Sequence, residues 1–289
     1  MLAVIAAGVL WGIICIPTKV LAAGGLGPVQ ITCSCMVCAA VLFCGFLAIR
    51  DPKKLRFRLR DIWMFLGTGA IGVGGASALY AYTMLQSQAS VAVVLMYTSP
   101  IYVMLFGALL FHEKITPVKL IALVMCLAGC VFVTGMLGDA ETITPLVLLT
   151  GLLSGLTFGL YTVFDRIALQ HYDTMTVTAY TFVFAAAIQL PLCDVGGAVR
   201  IFAADPSLIL WRLGGAVFCS ILPYALYTWG LKRMDSGTAA ILSCVEPLVG
   251  AVAGIVIYHE DHSPTKLLGI ALILAAVILL SPHERKKNV

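Results

Sequence analysis

Ten stretches of this 289-residue chain are long, apolar and nearly free of charge. About 20 apolar residues span a bilayer core as a helix. There the helix pairs its own backbone groups, which lipid cannot do. The stretches run approximately 3–23, 29–49, 62–85, 90–111, 117–137, 145–168, 175–194, 208–231, 237–258 and 264–281. The expected fold is therefore an all-α polytopic membrane protein with ten transmembrane helices. Apolar residues make up 61% and charged residues 11%, against about 45–50% and about 25% in soluble domains. That balance excludes a soluble enzyme, a nucleic-acid module and a receptor with a large ectodomain. Leu21-Ala22-Ala23 resembles a signal-peptide cleavage site, but no basic segment precedes an apolar run this long, so it reads as a retained helix. The connections are short, and one of the longest is the basic linker 50–61.

The placement of the 18 basic residues orients the chain. With the N-terminus inside, one face receives Arg50, Lys53, Lys54, Arg56, Arg58, Arg60, Lys114, Lys119, Arg166, Lys232, Arg233, Arg285, Lys286 and Lys287. The other receives Lys19, Arg200, Arg212 and Lys266. Cytoplasmic loops carry the excess of Lys and Arg, so both termini are expected in the cytoplasm. That requires an even number of spans.

The chain also matches itself at an offset of 147 residues. Residues 78–133 align without a gap on 225–280, with 14 identities in 56 positions. Ala78-Leu79-Tyr80 meets Ala225-Leu226-Tyr227, Pro100 meets Pro247, and Gly107 meets Gly254. His112-Glu113 meets His259-Glu260, Pro117 meets Pro264, and Lys119-Leu120 meets Lys266-Leu267. A weaker match sets Trp11-Gly12 over Ser154-Gly155. The chain thus divides into 1–142 and 143–289, five helices each. Five is odd, so the second repeat is inverted, as in secondary transporters that bind substrate near the midplane between repeats.

These residues resemble the drug/metabolite transporter superfamily, in particular its EamA-type members. The resemblance rests on Trp11-Gly12 and Lys19 in the first helix, the Pro of helices four and nine, and His-Glu-x-x-[Thr/Ser]-Pro before helices five and ten. It covers essentially the whole chain. It implies a multi-pass transporter of the cell inner (cytoplasmic) membrane, exporting amino acids or similar small metabolites by alternating access. It implies no enzymatic activity.

Within the spans, Glu246 is the one acidic residue read as lying near the bilayer centre, where a carboxylate by default points to function. It is a candidate for proton coupling or for pairing a substrate amine; protonated glue between helices is the structural alternative. Its repeat mate is Ser99. Pro100 and Pro247 are expected to kink helices four and nine, freeing the Met96 and Ser243 carbonyls beside a cavity or another helix. Lys19 either snorkels to the outer interface or meets an anionic substrate group, and reaching Glu246 would need a bend at Pro17. Trp11 and Tyr97 fall near the midplane. Tyr80 and Tyr227 fall at opposite depths, as gates on two sides of a cavity would, with Tyr82 and Trp229 as a second such pair. Trp63 and Trp211 read as interfacial.

The His-Glu pairs do not complete H-E-x-x-H, because Thr116 and Ser263 occupy the fifth position. They read instead as loop and capping devices, followed by an N-cap and a Pro at the first helical position. Asp165-Arg166 reads as a surface pair or gate element. Cys33, Cys35 and Cys38 read as small packing residues rather than metal ligands. No cofactor, metal, nucleic-acid partner or disulfide framework is expected, and no catalytic residue. The expected partners are a small-molecule substrate and the bilayer, with the chain a monomer or weak homodimer. Walker A and G-x-G-x-x-G motifs are absent, which points away from ATP-driven transport. The alternatives are a drug exporter or anionic-metabolite exchanger of the same fold, favoured if two basic residues face the cavity. More distant is an intramembrane lipid-modifying enzyme, which would need a polar cluster at one depth.

Overall fold

A computed structural model describes residues 1–136, 143–259 and 263–285, the last five by backbone alone. Long helices dominate: α1 (Leu2–Ala23), α2 (Pro28–Arg50), α3 (Leu59–Gln86), α4 (Ala89–Phe111), α5 (Pro117–Thr134), α6 (Pro145–Ala168), α7 (Thr174–Leu192), α8 (Ser207–Leu231) and α9 (Ser236–Tyr258). Among the described residues these nine are long and apolar enough to cross a membrane. The tenth helix, α10 (Pro264–Arg285), has a shorter described apolar part, Pro264–Leu280. Glu260, Lys286 and Lys287 lie outside the described residues, as does 137–142 beside the expected repeat boundary.

Local chemistry sets the helix ends. Pro28, Pro117, Pro145 and Pro264 open their helices, where a missing N–H costs nothing. The Thr116, Thr144 and Ser263 hydroxyls accept the orphan amides of Lys119, Val147 and Lys266, each at 3.3 Å. His112 and His259 close α4 and α9 in the left-handed region, with φ of 55° and 52°. One element departs from expectation: Val195–Ala204, read as loop, is a short helix. Its apolar face packs Ala198 against Leu21, Leu26, Ile31 and Leu208.

Breaks fall where proline predicts them. The α1 helix is interrupted at Ile13–Ile14, α4 at Tyr97–Thr98 and α9 at Cys244, each a few residues before Pro17, Pro100 or Pro247. Wider π-helical turns occupy Leu66–Gly75 in α3 and Val217–Ile221 in α8, segments that overlap under the 147-residue shift.

Packing between the halves follows the same shift. The α1 helix packs on α8 and α9 as α6 packs on α3 and α4, while α4 meets α9 and α5 meets α10. The glycines of the first helices correct the weaker alignment. A Cβ at Gly8 would lie 3.1 Å from the Ser243 carbonyl, and one at Gly155 would lie 3.1 Å from the Met96 carbonyl. Similarly, Gly12 abuts the Glu246 carbonyl at 2.6 Å, and Gly159 abuts that of Ser99 at 3.2 Å. Trp11 therefore matches Phe158, not Ser154, so 147 holds from the first helix on. The carbonyls bared by Pro100 and Pro247 face these glycines of the other half, not the cavity, because only a residue without Cβ lets the backbones approach so closely.

Candidate functional site

A cavity of about 570 Å³ enters the bundle from the end that carries Lys19, Leu26 and Pro28 and reaches mid-depth. That volume lies within the roughly 300–1,000 Å³ usual for small-molecule sites. The breaks in α1, α4 and α9 converge on its floor, which Trp11, Tyr97, Phe158, Tyr224, Glu246 and Pro247 form. There the Tyr97 hydroxyl faces the Glu246 carboxylate. Trp11 and Phe158, the repeat mates, touch with ring centroids 6.4 Å apart. This places the floor on the axis relating the halves.

Of the residues singled out in the sequence, Trp11, Lys19, Tyr80, Tyr97, Glu246 and Pro247 line this space. Ser99 and Pro100 are buried behind it, and the Ser243 hydroxyl turns back to the Ala240 carbonyl at 2.8 Å. Tyr82 does not belong to the cavity. It is 40% exposed on the outer surface of the bundle, like its mate Trp229, over which Arg233 stacks at 3.7 Å. Two residues further along a helix is a turn of about 200°, so Tyr80 and Tyr82 cannot share a face. Tyr227 lies beneath the floor, under Trp11 at 5.5 Å, with its hydroxyl 3.0 Å from that of Thr162.

Below the floor the bundle is sealed in layers. Tyr161 and Tyr227 fill the first layer, with Tyr161 reaching the Thr228 hydroxyl at 3.2 Å. Asp165 comes next. It is no surface residue but completely buried, its carboxyl facing Thr228 with neither oxygen in good hydrogen-bond geometry.

At the far end Arg166 meets Glu113 at 3.2 Å, donates to the Met234 carbonyl at 2.8 Å and covers the Phe111 ring. Glu113 Oε1 accepts from the Ser236 amide and hydroxyl, both at 2.9 Å, and Oε2 accepts from the Gly237 amide at 3.3 Å. Glu113 thus caps α9, a helix of the opposite half. Lys119 joins Asp235 at 3.0 Å beside it.

The mouth carries the same parts. The Lys19 ammonium lies 3.7 Å over the Tyr258 ring, and the 147-residue shift turns Arg166 into Lys19 and Phe111 into Tyr258. Tyr258 stands twelve residues, about 18 Å of helix rise, from Glu246.

Arg212 is the cavity residue that sequence reasoning missed. It was assigned to the outer face, yet it is 4% exposed and lines the cavity from α8. A charge five residues inside an apolar span was the available signal. With Lys19, two basic residues border the cavity. Cys35 also lines it, 3.0 Å from the Ser220 hydroxyl. Among the described residues no group of His, Cys, Asp or Glu is placed to hold a metal ion.

A bundle of long apolar helices around a mid-depth, largely apolar cavity with a few charged side chains fits a membrane transporter rather than an enzyme. The EamA-like transporter family model matches the chain twice, over residues 1–135 and 145–281, and the chain belongs to that family. Relatives include an uncharacterized transporter of Archaeoglobus fulgidus, 28% identical over 82% of this chain and 83% of that one. The uncharacterized inner membrane transporter YicL of Salmonella typhimurium is 28% identical over 79% and 76%. The threonine/homoserine exporter RhtA of Escherichia coli K12 is 26% identical over 84% and 79%. A solved crystal structure shares the fold, with a TM-score of 0.78 at 19% identity, covering all of this chain and 98% of the other.

Proposed function

We propose that the protein is a secondary transporter of the inner membrane. It exports amino acids or similar small metabolites by alternating access between two inverted repeats, approximately 1–142 and 143–289. The observation that carries the reading is the asymmetry of one motif used twice. Arg166 and Glu113 close one end of the bundle, while the repeat mates of Arg166 and Phe111 stand at an open mouth. Exchanging the two arrangements would move the opening to the other face without moving the site. The distribution of Lys and Arg sets the sealed end in the cytoplasm, so the cavity opens outward. RhtA, by its name an amino-acid exporter, supports the direction and the substrate class. Glu246 at the floor is the proposed coupling group, exchanging a proton or a substrate cation.

The test is transport of a metabolite panel in proteoliposomes, with and without a pH gradient. Movement of small metabolites that a proton gradient drives is the expected result. No movement of any small metabolite under any condition would refute the reading. A second reading, exchange of anionic metabolites, is favoured by Arg212 and Lys19 at the cavity and opposed by Glu246.

A further inference from the structure

Arg212 and Glu246 are opposite charges in one cavity, and neither is neutralised by a described residue. Arg212 Nη1 donates to the Ile31 carbonyl at 3.0 Å, while Nε has no hydrogen-bond partner. Nε is thus a buried donor in want of an acceptor, and with Nη2 it forms the edge whose two parallel N–H groups match a carboxylate. The groups facing the guanidinium include the thiols of Cys38 and Cys219, neither of them a counterion. A buried cation without a counterion costs several kcal/mol, so a fold that keeps one beside a cavity holds it for an anion.

Glu246 faces the Tyr97 hydroxyl, which is no counterion. Along the cavity the two charges are staggered. The Glu246 backbone carbonyl borders Gly12, and Arg212 Nη2 and Pro17 both border Gly215. Gly12 and Pro17 stand five residues apart on α1, on either side of its break at Ile13–Ile14. A small zwitterion spans that stagger with one charge-assisted hydrogen bond at each end. Repeat symmetry imposes neither charge, since Phe65 and Ser99 stand at the matching positions. The charges therefore serve the cargo and not the shared fold.

We infer that Arg212 receives the carboxylate, and Glu246 the ammonium, of a zwitterionic substrate, with the Trp11, Tyr80 and Tyr224 rings holding its apolar part. A cation alone would leave Arg212 buried and unpaired, and an anion alone would do the same to Glu246. The inference rests on the transporter reading above and names its substrate class.

The experiment is counterflow in proteoliposomes with threonine, leucine and phenylalanine, each beside its amide, which lacks the carboxylate, and its 2-hydroxy acid, which lacks the amine. The wild type is expected to prefer the amino acids. Arg212→Gln is expected to lower amino-acid transport by about tenfold or more, the range for a hydrogen bond to a charged group, and to spare or raise amide transport, so that the ratio of amino acid to amide falls. Arg212→Lys should restore part of the preference, which separates recognition from misfolding. The inference is overturned if the ratio of amino acid to amide is the same in wild type and Arg212→Gln, or if the wild type prefers amides or hydroxy acids. In those cases the transporter reading stands. If the wild type moves none of the probes, and no other small metabolite in the panel above, both fall.

Discussion

The sealed end offers the sharpest test of alternating access, through Glu113→Gln. Glu113 is 6% exposed and its partner Arg166 27%. The carboxylate accepts three hydrogen bonds besides the ion pair. A hydrogen bond to a charged group contributes about 1.5–3 kcal/mol net. The amide keeps one acceptor for Ser236 and loses both the charge and the second acceptor. The seal should therefore weaken by about 2–3 kcal/mol, discounted already for the partial exposure of Arg166. At 1.4 kcal/mol per decade, the equilibrium between sealed and open inner ends should move about 30- to 140-fold.

Hydrogen–deuterium exchange in detergent or nanodiscs reads this directly. Amides in 161–168 and 234–243 should exchange faster by that factor. Those lining the mouth, in 14–32 and 210–224, should become more protected as the outer end closes. An increase at the inner end with no loss of exchange at the mouth would refute coupling and leave Glu113 a simple helix cap. Unchanged exchange at both ends would refute the seal itself.

Three further outcomes are expected. Glu246→Gln should fold with an unchanged gel-filtration profile but lose transport or its dependence on a pH gradient; a wild-type pH profile in that variant would exclude Glu246 as the coupling group. Gly12→Ala should cost about 1–3 kcal/mol through overpacking, because its Cβ would fall 2.6 Å from the Glu246 carbonyl. Gly159→Ala, with 3.1 Å to its nearest neighbour, should lower the thermal midpoint less; the reverse order would contradict the packing described. Tyr172→Phe removes the hydroxyl that donates to Asp61 at 2.6 Å and accepts from the Arg58 amide at 3.1 Å. Proteolysis of the basic linker 50–61 should accelerate by a few-fold, corresponding to about 1 kcal/mol, and unchanged cleavage would show that this contact does not hold the linker.

What the sequence determined by itself was the set of long apolar helices. A bilayer demands runs of about 20 apolar residues, and proline punctuates them, so Pro100 and Pro247 announced the breaks in α4 and α9. Residue counts put Glu246 and Trp11 near the middle of their spans, and both line the cavity. Azimuth was not legible. Whether Arg212 turns into the bundle or Tyr82 out of it depends on which neighbours pack on α8 and α3, and apolar periodicity is weak where lipid and protein interior are equally greasy. For the same reason Asp165 read as a surface residue although α6 buries it entirely.

The register of the first helices was likewise invisible, since a single Trp-Gly match carries little information. Only the approach of Gly8 and Gly155 to bared carbonyls settled it. The tertiary structure alone decided which end of the bundle is closed. Glu113 and Ser236 lie 123 residues apart, and nothing local to either specifies that they meet.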